Sequence, residues 1–141
     1  MDGDTTMNLI FAKSMRVDYF CNQVMKKGVV VSYEEEKDYV LVVPYNGENI
    51  AGILLDDVVE VDFLMPYYAG GVGVTAKGGK VRVLESGTIR LPAKPKWNHG
   101  DFLTINNKGQ LKRSKRHGKP FAEIMSIDED FAHVDFDRRG I

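Results

Sequence analysis

The chain contains one cysteine, Cys21, in 141 residues. It cannot form an internal disulfide, so nothing indicates a disulfide-stapled secreted scaffold or an oxidising compartment. No apolar run approaches the roughly 18 residues that a membrane-crossing helix needs, and no membrane partner is expected. The first residues include Asp2 and Asp4 in place of the basic-then-apolar pattern of a secretion signal. Charge of one sign is also lacking. With 19 Lys and Arg against 20 Asp and Glu, the formal net charge is −1, which exerts no global pull toward nucleic acid or membrane surface. A protein of the cytosol, or one assembled there, is the default expectation.

Reactive motifs are as sparse as cysteine. Five glycines lie between Met65 and Gly79, and Gly73 and Gly78 have the separation of a phosphate-binding loop. Such a loop then requires lysine followed by serine or threonine. Gly79 stands in the lysine position, Lys80 comes one residue late, and Val81 offers no hydroxyl. The histidines His99, His117 and His133 have no companion at metal-ligand spacing. A Gly-x-Ser-x-Gly nucleophile turn is absent. Cys21, set among Phe20, Val24 and Met25, reads as a small buried hydrophobe. No catalytic residue, metal or cofactor is expected, and the chain does not read as an enzyme.

What the chain does contain is a series of short β-branched and aromatic runs separated by turn residues. Val29–Tyr33, Tyr39–Val43, Ile50–Leu55 and Val58–Phe63 read as strands, with an acidic turn at Glu34–Asp38 and an Asn46-Gly47 turn signal. Lys80–Leu84 and Thr88–Leu91 read as two strands flanking Glu85-Ser86-Gly87. Phe102–Ile105 and Gln110–Arg113 flank Asn106-Asn107-Lys108-Gly109, residues that tolerate positive φ and so favour a hairpin. Phe121–Ile127 and Phe131–Phe136 close the chain across Asp128-Glu129-Asp130. Repeated strands at short spacing predict an all-β fold, a small β-barrel or sandwich-like domain over residues 21–141. Residues 1–20 read as an N-terminal arm. Between Ser14 and Gly28 helical spacing competes with strand alternation, leaving room for one short helix.

Three features suggest contact surfaces. The arm carries Leu9, Phe11 and Tyr19, which could add to a neighbour's sheet; its removal, Met1–Phe20, is expected to leave the fold intact. Met65, Tyr67 and Tyr68 form an apolar patch in an expected loop, and such residues are enriched at protein interfaces. Lys112, Arg113, Lys115 and Arg116 make the one strongly polarised segment, suited to an acidic partner. A nucleic-acid-binding β-barrel is the alternative use of that segment, but it expects stacking aromatics nearby. Phe102 and Phe121 read instead as core.

The succession Lys27-Gly28-Val29-Val30-Val31, Ile50-Ala51-Gly52-Ile53, Gly79-Lys80-Val81-Arg82-Val83 and Gly87-Thr88-Ile89-Arg90-Leu91-Pro92 resembles the cement or decoration proteins of tailed-bacteriophage capsids. Gly100-Asp101-Phe102-Leu103-Thr104-Ile105, then Gly109-Gln110-Leu111 and Ala122-Glu123-Ile124, is similar to that family's Gly-Asp strand and closing hairpin. The resemblance covers roughly Val17 to Phe136. It implies a structural protein on the capsid exterior of a virion, assembled in the host cytoplasm. The major capsid protein would be its partner, a homotrimer its form, and nucleic acid no part of its role. The loop at Met65–Lys77 is longer than the family pattern.

Overall fold

The computed structural model describes residues 7–60, 73–114 and 119–141. Among them there are eleven strands and no helix. In chain order these are β1 (Asn8–Cys21), β2 (Val30–Glu35), β3 (Val40–Pro44), β4 (Ile50–Leu54), β5 (Asp57–Val59) and β6 (Val74–Ala76), then β7 (Lys80–Pro92), β8 (Phe102–Ile105), β9 (Leu111–Arg113), β10 (Ala122–Asp128) and β11 (Phe131–Asp137).

The all-β expectation is met, and the barrel is explicit. Strands pair in the order β1-β3-β2-β4-β7, and β7 returns to pair with β1, closing five strands into a barrel. Closure removes the open edges that an isolated sheet would present. Beyond the barrel, β7 continues and pairs with β11, followed by β10, β8 and β9. A short parallel pair, β5 with β6, stands apart.

Burial explains why several strands read as unbroken apolar runs. Val31, Leu54 and Val83 pack in one hydrophobic cluster with Tyr19, Cys21, Val42 and Val81, in the barrel. Their chain neighbours Val30, Ile53 and Leu84 belong to a second cluster with Ile89, Leu103, Ile124, Val134 and Phe136. Side chains alternate faces along a strand. β2, β4 and β7 therefore have one face in the barrel and the other against the outer sheet, and both faces want apolar residues. β11 shows the complementary pattern: Ala132, Val134 and Phe136 are buried while Phe131, His133, Asp135 and Asp137 are half-exposed.

Several boundaries differ from expectation. The two strands read around Glu85-Ser86-Gly87 are one strand, β7. Gly87 sustains it with φ of +155°, and a Cβ there would collide with the Phe11 carbonyl oxygen of β1. Gly therefore serves close strand approach here, where sequence suggested a turn. Val74–Ala76, placed in a loop by the sequence, is strand β6, parallel to β5. The segment from Asn8 to Cys21 is extended, so the helical reading of Ser14–Gly28 does not hold. Phe102, read as core, is 44% exposed, because Leu103 and Ile105 take the inward positions of β8.

Candidate docking surface

β1 is the longest of the described strands, and four of the exposed large apolar side chains lie on it. From Asn8 to Tyr19 it pairs with β7; β3 joins only at Phe20 and Cys21. Among the described residues no strand covers the other edge of Leu9–Asp18, so main-chain donors and acceptors there face outward. Four large apolar side chains on this stretch are exposed: Ile10, Phe11, Met15 and Val17, with Phe11 at 61%. Register shifts interrupt the β1–β7 pairing between Leu9 and Phe11, around Ser14, and between Arg16 and Tyr19. Bulges of this kind break strict alternation and turn consecutive residues such as Ile10 and Phe11 outward together.

A polar knot fastens this strand to the rest of the chain. The Ser14 hydroxyl donates to Glu85 Oε1 at 2.7 Å, and Arg138 Nε meets Glu85 Oε2 at 3.1 Å. Further along, the Arg16 guanidinium donates to both Asp18 oxygens, at 2.9 and 3.0 Å. That hydrogen-bonded pairing holds the Asp18 carboxyl below its ordinary range and raises Arg16. Arg16 also lies 4.4 Å from the centre of the Tyr19 ring, so its charge is positioned without being buried.

The outer sheet carries a second surface. Its registers align Phe11 with Thr88, Thr88 with Asp135, Asp135 with Glu123 and Glu123 with Phe102. One transverse row therefore runs over β1, β7, β11, β10 and β8, with two half-exposed carboxylates between two exposed phenylalanines. The Thr88 hydroxyl donates to Asp135 Oδ1 at 2.6 Å. A groove of about 350 Å³ opens over the row, lined by Phe11, Lys13, Thr88, Glu123, Asp135 and Asp137 among others. At the far edge of the same sheet, Lys112 and Arg113 of β9 are exposed. Arg113 makes a loose ion pair with Asp101 at 3.5 Å.

The contact residues expected from sequence fall into three groups. Phe11, Lys112 and Arg113 are at the surface, and Leu9 is half-buried, packed against the larger core cluster. Tyr19 is a correction. It is 2% exposed, stacked on Tyr33 with ring centres 6.3 Å apart, and burial pushes its hydroxyl pKa up. It lines the barrel, because the β1 face that meets β7 and β3 there is the inner one. Met65, Tyr67, Tyr68, Lys115 and Arg116 lie outside the described residues. Sequence reading missed Ile10, Met15 and Val17, whose outward placement depends on bulges, and the pairing of Glu123 with Asp135. Cys21 is buried, as expected, and burial pushes its thiol pKa up. No group of three or more His, Cys, Asp or Glu among the described residues is arranged to hold a metal ion.

No protein-family model matches the chain, and no curated protein sequence does. Among solved structures, the crystal structure of the N base of head fiber gp8.5 of bacteriophage phi29 is similar over 91% of this chain and 98% of its own. The identity is 14% and the TM-score 0.50. At that identity the likeness establishes a shared fold.

Proposed function

We propose that this chain is a structural protein of a tailed-bacteriophage head, bound to the outer surface of the capsid and clamping neighbouring capsid subunits as a cement or decoration protein. The observation that carries the reading is the near-complete overlap with the phi29 head fiber base, 98% of which is matched. Fold alone does not dictate function. Here the shared fold joins a resemblance in sequence motifs that points to the same setting, and a surface suited to binding. A clamp needs interface area and repetition, and many symmetric copies let modest individual affinities hold a shell. The major capsid protein is the proposed partner, and homotrimers on the virion are the proposed form.

The exposed edge of β1 is the proposed capsid contact. An extended capsid segment adding to Leu9–Asp18 would satisfy the open main-chain groups and cover Ile10, Met15 and Val17. The test is the copy number of the chain in purified virus particles, by quantitative mass spectrometry against the major capsid protein. A ratio approaching one per capsid subunit is expected, and absence from particles would sink the reading.

One observation favours a second reading. Phe102 is exposed, and its carbonyl accepts from the Ser114 amide just beyond β9. That places an aromatic ring on the sheet that carries Lys112 and Arg113, the combination a nucleic-acid-binding barrel uses. A salt-sensitive electrophoretic shift of single-stranded oligonucleotides, lost in Phe102→Ala, would support it; no shift at low salt would remove it.

A further inference from the structure

The turn between β3 and β4 holds a reactive pair that neither the barrel nor the docking surface uses. Asn46 is followed by Gly47, and no other asparagine of the chain precedes a glycine. Both residues are exposed. Gly47 takes φ of +87°, and a Cβ there would meet nothing within 4 Å beyond its chain neighbours, so this peptide is open to approach. Among the described residues the Gly47 amide donates to no acceptor. The Asn46 side chain is oriented by the turn, its Oδ1 accepting from the Glu48 amide at 2.9 Å. Buried Ser32 fixes both ends. Its Oγ accepts from the Asn46 amide at 3.2 Å and donates to the Glu48 carbonyl at 2.7 Å.

We propose that Asn46 is a site of self-modification, at which the Gly47 amide nitrogen attacks the Asn46 side-chain carbonyl carbon and the turn deamidates to aspartate and isoaspartate. The new bond joins Gly47 N to Asn46 Cγ, the Cγ–Nδ2 bond breaks, and Nδ2 leaves as ammonia with the proton the Gly47 amide has lost. Water then opens the cyclic imide at either carbonyl. One opening leaves aspartate; the other leaves isoaspartate, whose main chain runs through Cγ. Three features of the turn favour the step. The nucleophilic amide is not held by an acceptor. The Glu48 N–H already meets Oδ1, where negative charge develops as the ring closes, and a preorganised donor in that position stabilises an oxyanion. Glycine puts no side chain beside the attacking nitrogen and permits the backbone rotation that closure requires. The β8–β9 hairpin supplies the contrast. Asn106 Oδ1 accepts from the Lys108 and Gln110 amides, each at 2.9 Å, its Nδ2 donates to Gln110 Oε1, and Asn107 follows in place of glycine. Deamidation at Asn46 is irreversible and adds a carboxylate beside Glu48, so each copy of the chain gains negative charge with age. The inference does not depend on the capsid reading.

The experiment is peptide mapping by mass spectrometry of the full chain after prolonged incubation at mildly alkaline pH, beside a sample unfolded in urea. The mass gain of deamidation should fall on the peptide containing Asn46, with both aspartate and isoaspartate forms resolved, while the other asparagines of the folded chain stay intact. Conversion in the folded chain should proceed at a rate comparable to that in urea, because nothing in the turn has to break first. Gly47→Ala should lose the conversion. If that change lowers the melting temperature, Asn46→Gln, whose longer side chain must close a larger ring, tests the same step and leaves the left-handed glycine in place. A folded chain that keeps Asn46 intact overturns the inference, whatever the urea sample does. So does conversion spread over several asparagines of the folded chain, or conversion in Gly47→Ala at the parent's rate.

Discussion

Individual residues fix points where chemistry has little latitude. Gly109 closes the β8–β9 hairpin with φ of +79°, and a Cβ there would strike the Val30 carbonyl oxygen. Its own carbonyl accepts from the Val30 amide at 2.8 Å, so the turn is stitched to the barrel wall. Gly109→Ala should lower unfolding free energy in urea by about 2–4 kcal/mol, combining left-handed strain with overpacking. Asp56 is another such point. Its carboxylate is buried and accepts from the Arg82 amide at 2.7 Å and from Arg82 Nε at 3.0 Å. Asp56→Ala should cost about 1–3 kcal/mol through the unsatisfied donors. Cys21, with its thiol neutralised by burial, should resist alkylation at pH 8 in the folded protein and react in urea. Its folded pKa is raised, so the linked stability is complete below the unfolded pKa and declines as pH rises above it. A stability profile flat from neutral to strongly alkaline pH would contradict that assignment. The hairpin glycine was legible from its Asn-Asn-Lys-Gly context. The burial of Tyr19 was not, because tyrosine suits an interface and a barrel interior equally until the closing strand is known.

Among the elements, β1 decides most. Its C-terminal half is barrel wall and its N-terminal half is an open, partly apolar edge of the outer sheet, so one strand combines core packing with exposed apolar surface. Removing Met1–Phe20 would strip Tyr19 from the core and leave Lys80–Leu84 of β7 without its β1 partner. We expect that truncation to unfold, where sequence alone suggested a dispensable arm, and circular dichroism would decide. Surface changes on the same strand should behave differently. Phe11→Ser and Val17→Lys should leave stability within about 0.5 kcal/mol while reducing binding to particles that lack the chain. Most strands could be located from β-branched runs and turn residues. Their pairing could not, and β10–β11 shows why. Counting back from the Glu129-Asp130 turn sets Asp128 opposite Phe131, and regular alternation would then put Glu123 against Phe136. A register shift between Ile124 and Ser126 moves Glu123 against Asp135 instead. One bulged residue therefore creates the acidic row, and nothing in the local composition announces it.

At the scale of the whole molecule, charge is divided by position while the total stays near neutral. The acidic β2–β3 turn, Glu34 to Asp38, lies at the opposite end of β2 from the basic hairpin, since Val30 meets Gly109 and Glu35 leads into the turn. Assembly built on such a division should be salt-dependent. Occupancy of particles by the parent protein should fall as ionic strength rises through a few hundred millimolar, whereas barrel stability should change little. Particle pull-down and thermal melts over the same salt series would check both halves. The closed barrel also has a consequence in time. β1 ends at Cys21, and β7, which pairs with most of its length, begins only at Lys80. During synthesis the exposed apolar β1 therefore leaves the ribosome well before its partner exists. Pairing β1 with β7 is a long-range contact of the kind that slows folding, and rapid translation or high temperature should divert the nascent chain toward aggregates before it forms.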